Sequence, residues 1–136
     1  MVDGLVDTNI FIHAQTRDLY AEECLLFLEA VMAGRVRAQI EPMILHELSY
    51  ALRHYRKEMT RLQIAAYLLM VLSWAGVRGE KDVLADTVRR WRDTPDLAFV
   101  DAYLAAVASE RKCPVFTKNI AELRKQGVAV PGRLPA

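Results

Sequence analysis

The sequence predicts an α/β domain with a parallel sheet covered by helices. Short apolar runs at residues 4–6, 36–40 and 113–117 alternate with longer stretches of helical periodicity. The first and last of these runs close on polar residues, Asp7-Thr8-Asn9 and Thr117-Lys118-Asn119. Those are the points where a strand hands over to a helix, and open α/β sheets place their chemistry there. No internal repeat or linker interrupts the pattern. The helical share is high, so an all-α arrangement stays open as the competing fold.

Taken in order, residues 4–6 read as a buried strand that delivers Asp7 to the sheet edge. Thr8 and Asn9 suit the turn into a helix over 10–14, because their side chains can bond the first free backbone N–H groups. After a break at 16–18, residues 19–33 form a helix with Leu25, Phe27, Leu28 and Val31 apolar, and Gly34 stops it. Residues 36–40 read as the second strand, and Glu41-Pro42 opens a helix bearing Ile44, Leu45, Leu48, Leu52 and Tyr55. Thr60 caps a helix over 61–75, and 76–79 is a break with a brief strand. A helix over 81–91 follows, then a loop at Thr94-Pro95-Asp96 in which Asp96 is the natural cap. The remaining elements are an apolar helix over 97–110, a strand over 113–117, a short helix over 120–125, a last strand over 128–130 and a tail from 131.

Composition narrows the function classes. The 136 residues suit one domain, and 53% hydrophobic content is enough for a real core. A net charge of +1 gives no global field toward nucleic acid or membrane. Cys24 and Cys113 have neither a disulfide framework nor a zinc spacing, and read as two core residues of a cytoplasmic protein. No basic segment followed by an apolar run opens the chain, so no signal peptide is expected. Residues 62–77 carry no charge, but the stretch is too short to span a bilayer. It reads as a buried helix or a subunit interface.

Four acids then matter, of which Asp96 has already been read as a helix cap. Asp7 either caps a helix or begins a site. Asp101 is the only charge between residues 97 and 109, in a helix apolar nearly all round and therefore expected to be central. A lone carboxylate there needs a cation or donors, so it is either half of a buried pair with an arginine, or a metal ligand or base. Glu47 borders an apolar helix face between Ile44 and Ala51. Thr117 and Asn119 stand beside these acids, or Asn119 caps the next helix. Carboxylates gathered together repel, and a hard divalent cation such as Mg²⁺ relieves that with oxygen ligands and retained waters. His13, His46 and His54 have no zinc spacing, and no Gly-rich phosphate loop or Ser–His–acid set is present.

At these residues the chain resembles the PIN-domain family, in particular the ribonuclease toxins of VapBC toxin–antitoxin modules. Leu5-Val6-Asp7-Thr8-Asn9 is similar to the family's opening strand and first acid, and Glu47 to the acid of the following region. Val100-Asp101-Ala102-Tyr103-Leu104-Ala105-Ala106 is similar to its DA-x-x-AA helix, and Phe116-Thr117-Lys118-Asn119 to the strand after it. The resemblance covers essentially the whole chain. It implies a three-layer α/β/α domain and an Mg²⁺- or Mn²⁺-dependent RNA endonuclease, often a homodimer, held inactive by a cognate antitoxin. It implies that Asp7, Glu47 and Asp101 carry the metal, that Thr8 orients Asp7 and that Thr117 lines the site. Asn119 departs from the pattern: many members place a fourth acid there, and an amide adds no negative charge, which favours one metal over two.

For RNA contact the sequence offers Arg53, Arg56, Lys57 and Arg61, and Arg89, Arg90 and Arg92 around Trp91, although a solvated helix face is the plainer reading of each set. Lys118, beside the expected site, is the better phosphate contact. Three other functions compete with a toxin nuclease. They are a PIN-fold partner-binding protein with weak or no activity, a housekeeping RNA-processing nuclease, and a phospho-receiver. The receiver lacks the adjacent acids it needs after the first strand.

Overall fold

Three parallel strands and four helices make up the first of two units, Met1–Lys81, in the computed structural model, which describes residues 1–136. The strands are β1 (Gly4–Leu5), β2 (Ala38–Gln39) and β3 (Val77–Arg78), in the order β1-β2-β3. Gly4 stands opposite Ala38, and Ala38 opposite Val77. The regular ladder is short, but the pairing runs past it. Asp3 donates to the Arg37 carbonyl at 2.8 Å, Val6 to Gln39 at 3.2 Å and Ile40 to Arg78 at 3.0 Å. The strand expected at 36–40 therefore pairs as foreseen, with Ala38 and Ile40 buried.

Helices α1 (Thr8–Gln15), α2 (Ala21–Met32), α3 (Pro42–Tyr55) and α4 (Arg61–Ser73) complete this unit. Helix α1 begins earlier than predicted because Asp7 is its cap. Asp7 Oδ1 accepts the Thr8 N–H at 2.7 Å. Helix α2 buries Cys24, Leu28 and Val31 and ends at Gly34, whose φ of +82° is the left-handed stop that glycine adopts without strain. Pro42 occupies the first turn of α3, where no N–H is needed. Thr60 and Gln63 form a reciprocal capping box at α4. Helix α1 packs on α2 and α3, and α3 on α4. The faces that meet carry Phe11, Leu45, Leu48, Leu52, Ile64 and Leu68, all but inaccessible. Removing one such leucine side chain costs roughly 2–5 kcal/mol. The apolar segment beginning at 62 is buried on one side only, since Leu62 and Met70 of α4 are exposed. No helix is long and apolar enough to cross a membrane.

The second unit, Asp82–Ala136, contains most of α5 (Lys81–Asp93), then α6 (Phe99–Arg111) and α7 (Ile120–Arg124). Its core gathers Ala105, Ala108, Val115, Leu123 and Val130, with Ile120 and Val128 against them. Trp91 of α5 is buried edge-on to Phe99, with ring centroids 5.5 Å apart. Four expectations are corrected here. Asp96 does not cap α6, whose N-cap is Ala98, because a turn closed by Leu97 N–H on the Thr94 carbonyl carries the chain past Asp96 first. Helix α6 is not apolar and buried all round: its alanines face inward, and Val100 and Leu104 face out. Residues 113–117 and 128–130 form no regular strand. One bond, Val115 N–H to the Ala129 carbonyl at 2.9 Å, joins them, and Pro114 and Pro131 have no N–H with which to extend a ladder. Cys113 is exposed, and only Cys24 is a core thiol.

Candidate active site

In the first unit, β1 and the start of α1 hold Asp7, and the middle of α3 holds Glu47. Both line one open cleft of about 340 Å³, together with Thr8, Asn9, Ile12, His13, Ala51 and Tyr55. That volume is at the small end of the range for ligand sites, roughly 300–1,000 Å³. Asp7 arrives there because the strand ends on it and its Oδ1 is tied to the Thr8 N–H, which leaves the second carboxylate oxygen for another partner. Glu47 is exposed, two turns before the end of a helix whose opposite face is buried through Leu45, Leu48 and Leu52. The contact Thr8 makes with Asp7 is through its backbone. Its hydroxyl is buried with no hydrogen-bond partner, and such an atom commonly marks a place where a water, an ion or a substrate group belongs.

In the second unit, Asp101 lies in the first turn of α6 and Asn119 just before α7. The Asn119 amide donates to Asp101 Oδ2 at 2.9 Å. The open choice at Asn119 is thereby decided: its side chain does not cap α7 but holds the acid. Thr117 Oγ1 accepts the Asn119 N–H at 2.9 Å and fixes that loop. No arginine pairs with Asp101, so the simple buried ion pair is set aside. Lys118 is exposed.

In neither unit do three His, Cys, Asp or Glu side chains stand together in a way that could hold a metal ion. Mg²⁺ does not demand three, because it keeps several waters and uses one or two carboxylates. Asp7 and Glu47 supply hard oxygen donors of that kind, beside an unpartnered hydroxyl. The donor set of the cleft therefore fits a hard divalent cation.

The basic residues divide. Trp91 is in the core, and Arg90 is committed to Asp86 at 3.0 Å and to the Gln126 carbonyl at 2.8 Å, so that segment is no base-stacking surface. Arg56 is bound to Glu58 and Gln15. Arg53, in the last turn of α3, and Lys57, just past its end, are exposed on either side of Tyr55 in the chain, and the Tyr55 ring is half-exposed. His13 and Tyr55 were not foreseen as members of the cleft. Their signal was present: His13 lies four residues after Asn9, and Tyr55 four after Ala51, each on the same helix face.

With this geometry in hand, comparison with known families gives one result. The model of the PIN domain matches residues 4–126. The chain belongs to the PIN domain family, and the match runs through both units. PIN domains are generally metal-dependent nucleases. No match was found among curated proteins or among solved structures.

Proposed function

We propose that this protein is a metal-dependent RNA endonuclease, acting as the toxin of a type II toxin–antitoxin pair in the cytoplasm. The observation that carries the nuclease reading is the cleft in which a strand-end acid, Asp7, and a helix acid, Glu47, face the same space. Asp7 and Glu47 would hold Mg²⁺ or Mn²⁺, and Asp101 is assigned to the same centre on the family resemblance alone. When bound, such an ion neutralises charge building on the phosphodiester and makes water a better nucleophile. Asn119 holds the Asp101 carboxylate in one orientation, and the Thr8 hydroxyl offers a buried donor to a water or a phosphate oxygen. Lys118 is assigned to a substrate phosphate. The toxin role, the antitoxin and a homodimer rest on resemblance. Leu62 and Met70 on the outer face of α4 are the apolar surface available for a second subunit.

The test uses the purified chain, an RNA oligonucleotide and Mn²⁺. Cleavage is expected, EDTA should stop it, and Asp7→Ala should lower the rate at least 100-fold, on the order of a lost electrostatic catalytic group. A Mn²⁺ titration by calorimetry on Asp101→Asn then checks the third acid, since unchanged affinity removes it from the centre. Expression in a bacterial host should arrest growth with the parent and not with Asp7→Ala. RNA cleavage without growth arrest would favour a processing nuclease, and Mn²⁺ binding without cleavage a partner-binding PIN protein.

A further inference from the structure

Near its C-terminus α1 presents to the acid cleft a histidine whose ring is held on two sides. His13 Nδ1 lies 2.6 Å from Asp18 Oδ2, and the Tyr20 ring meets the His13 ring edge-to-face, at 5.1 Å between centroids and 69° between planes. Asp18 is fixed in turn. Its Oδ2 also accepts from Thr16 Oγ1 at 2.7 Å, and its Oδ1 accepts the Tyr20 N–H at 2.9 Å. The bonds from His13, Thr16 and Tyr20 pull the Asp18 carboxyl down to about 2. As an ionised acceptor, Asp18 requires the ring proton at Nδ1. Nε2 is then the ring atom left for a ligand, and His13 lines the cleft that holds Asp7 and Glu47. An exposed ion pair contributes little to stability, whereas a ring with its orientation and tautomer both fixed is what proton transfer needs.

We propose that His13 is the proton donor to the departing ribose oxygen when the cleft cleaves a phosphodiester, with Asp18 and Tyr20 as its positioning residues. The inference rests on the nuclease reading. The water oxygen forms the new bond to phosphorus, and the bond from phosphorus to the ribose oxygen breaks with its electron pair. The Nε2 proton of the doubly protonated ring passes to that oxygen. The proton lost by the water goes to solvent, and His13 is recharged from solvent. The titratable and charged groups around the ring are Asp18 and Tyr20 on the loop after α1, Asp7 at the base of α1, and Glu47 and Tyr55 on α3. Beyond them lies Arg56, held by Glu58 and by Gln15 of α1.

The experiment compares two substrates on the full chain with Mn²⁺: an RNA oligonucleotide, and bis(p-nitrophenyl) phosphate, whose nitrophenolate departs without a proton. His13→Gln should slow RNA cleavage roughly 10²- to 10⁴-fold, the usual worth of a general acid, and change nitrophenyl ester hydrolysis only a few-fold. Asp18→Asn should show the same selectivity with a smaller loss, and it carries the test if His13→Gln does not fold. Equal losses on both substrates, or none on either, overturn the assignment while leaving the nuclease standing. A parent that cleaves neither substrate removes the nuclease reading, and this inference with it. In the metal-free protein, long-range ¹H–¹⁵N correlations of neutral His13 should show the Nδ1–H tautomer, shifting toward Nε2–H in Asp18→Asn. A parent ring already in the Nε2–H form also overturns it.

Discussion

At the scale of single residues, the chain spends its polar groups on fixing a few others. Asp18 is the clearest case, with three donors on one carboxylate. Its pKa is lowered from 3.8 to about 2, first by the His13 bond, then by Thr16, with the Tyr20 N–H a smaller contribution. A carboxyl depressed in the folded state stabilises the fold at pH values above its unfolded pKa, and that stabilisation is lost as pH falls through the folded value. Asp18→Asn should therefore lower the denaturation midpoint at pH 7 only slightly, as befits an exposed group, and the small gap to the parent should narrow from about pH 4 toward pH 2. Chemical denaturation at stepped pH reads this directly, and a gap constant down to pH 2.5 would show that the three bonds do not persist in solution. Gly76 is constrained by space rather than by charge. Its N–H donates to the Val31 carbonyl at 2.8 Å, and a Cβ on it would collide with the carbonyl oxygens of Val31 and Val36. Gly76→Ala should cost about 1–3 kcal/mol, as overpacking does, measured by urea melting.

At the scale of elements, what the sequence showed depended on how local its cause was. The α4 start was plain from Thr60, because a capping box lies within four residues, and both of its bonds form. Thr60→Ala should cost about 1 kcal/mol, whereas Leu68→Ala, deep on the buried face of the same helix, should cost roughly 2–5 kcal/mol. Comparing the two in one melting series separates cap from core, and similar costs would mean that α4 is held less by packing than its burial indicates. The start of α6 was misjudged for the opposite reason. Pro95-Asp96 looks like a cap in isolation, but the preceding turn spends those residues before the helix begins. The strands expected at 113–117 and 128–130 have the right apolar content, yet pairing is not local and only one bond joins them. The candidate site divides in the same way. Strand-end logic puts Asp7 at the head of α1, and Glu47 lines the same cleft, but Glu47 is exposed rather than on the apolar border that Ile44 and Ala51 suggest. The Asn119–Asp101 bond spans 18 positions, and no spacing rule distinguishes it from a cap. His13 escaped notice because its partner lies past the helix end, in what reads only as a break.

At the scale of the whole molecule, charge sets how RNA must be held. A net charge of +1 provides no broad attraction, so binding to a polyanion has to come from a few placed cations. On the first unit, α3 offers a graded path. Glu47 and Ala51 line the cleft, Tyr55 presents a half-exposed ring at its border, and Arg53 and Lys57 are exposed at the helix end. A single strand leaving the acids along this face would stack a base on Tyr55 and turn around the helix end to bring its phosphates to Lys57 and to Arg53, which stands on roughly the opposite side of α3 from Tyr55. Each phosphate contact to a single strand steepens the dependence of log affinity on log salt by about 0.7. Replacing both cations, Arg53→Ala with Lys57→Ala, should therefore flatten that slope by about 1.4 and weaken binding most at low salt. Tyr55→Ala should instead cost about 1–3 kcal/mol of affinity at every salt concentration, because stacking is not ionic. The measurement is fluorescence anisotropy with a labelled RNA between about 50 and 200 mM salt, in an Asp7→Asn background that removes cleavage from the readout. If the double variant leaves the slope where it was, the strand does not follow α3, and the phosphate contacts have to be sought among other exposed cations.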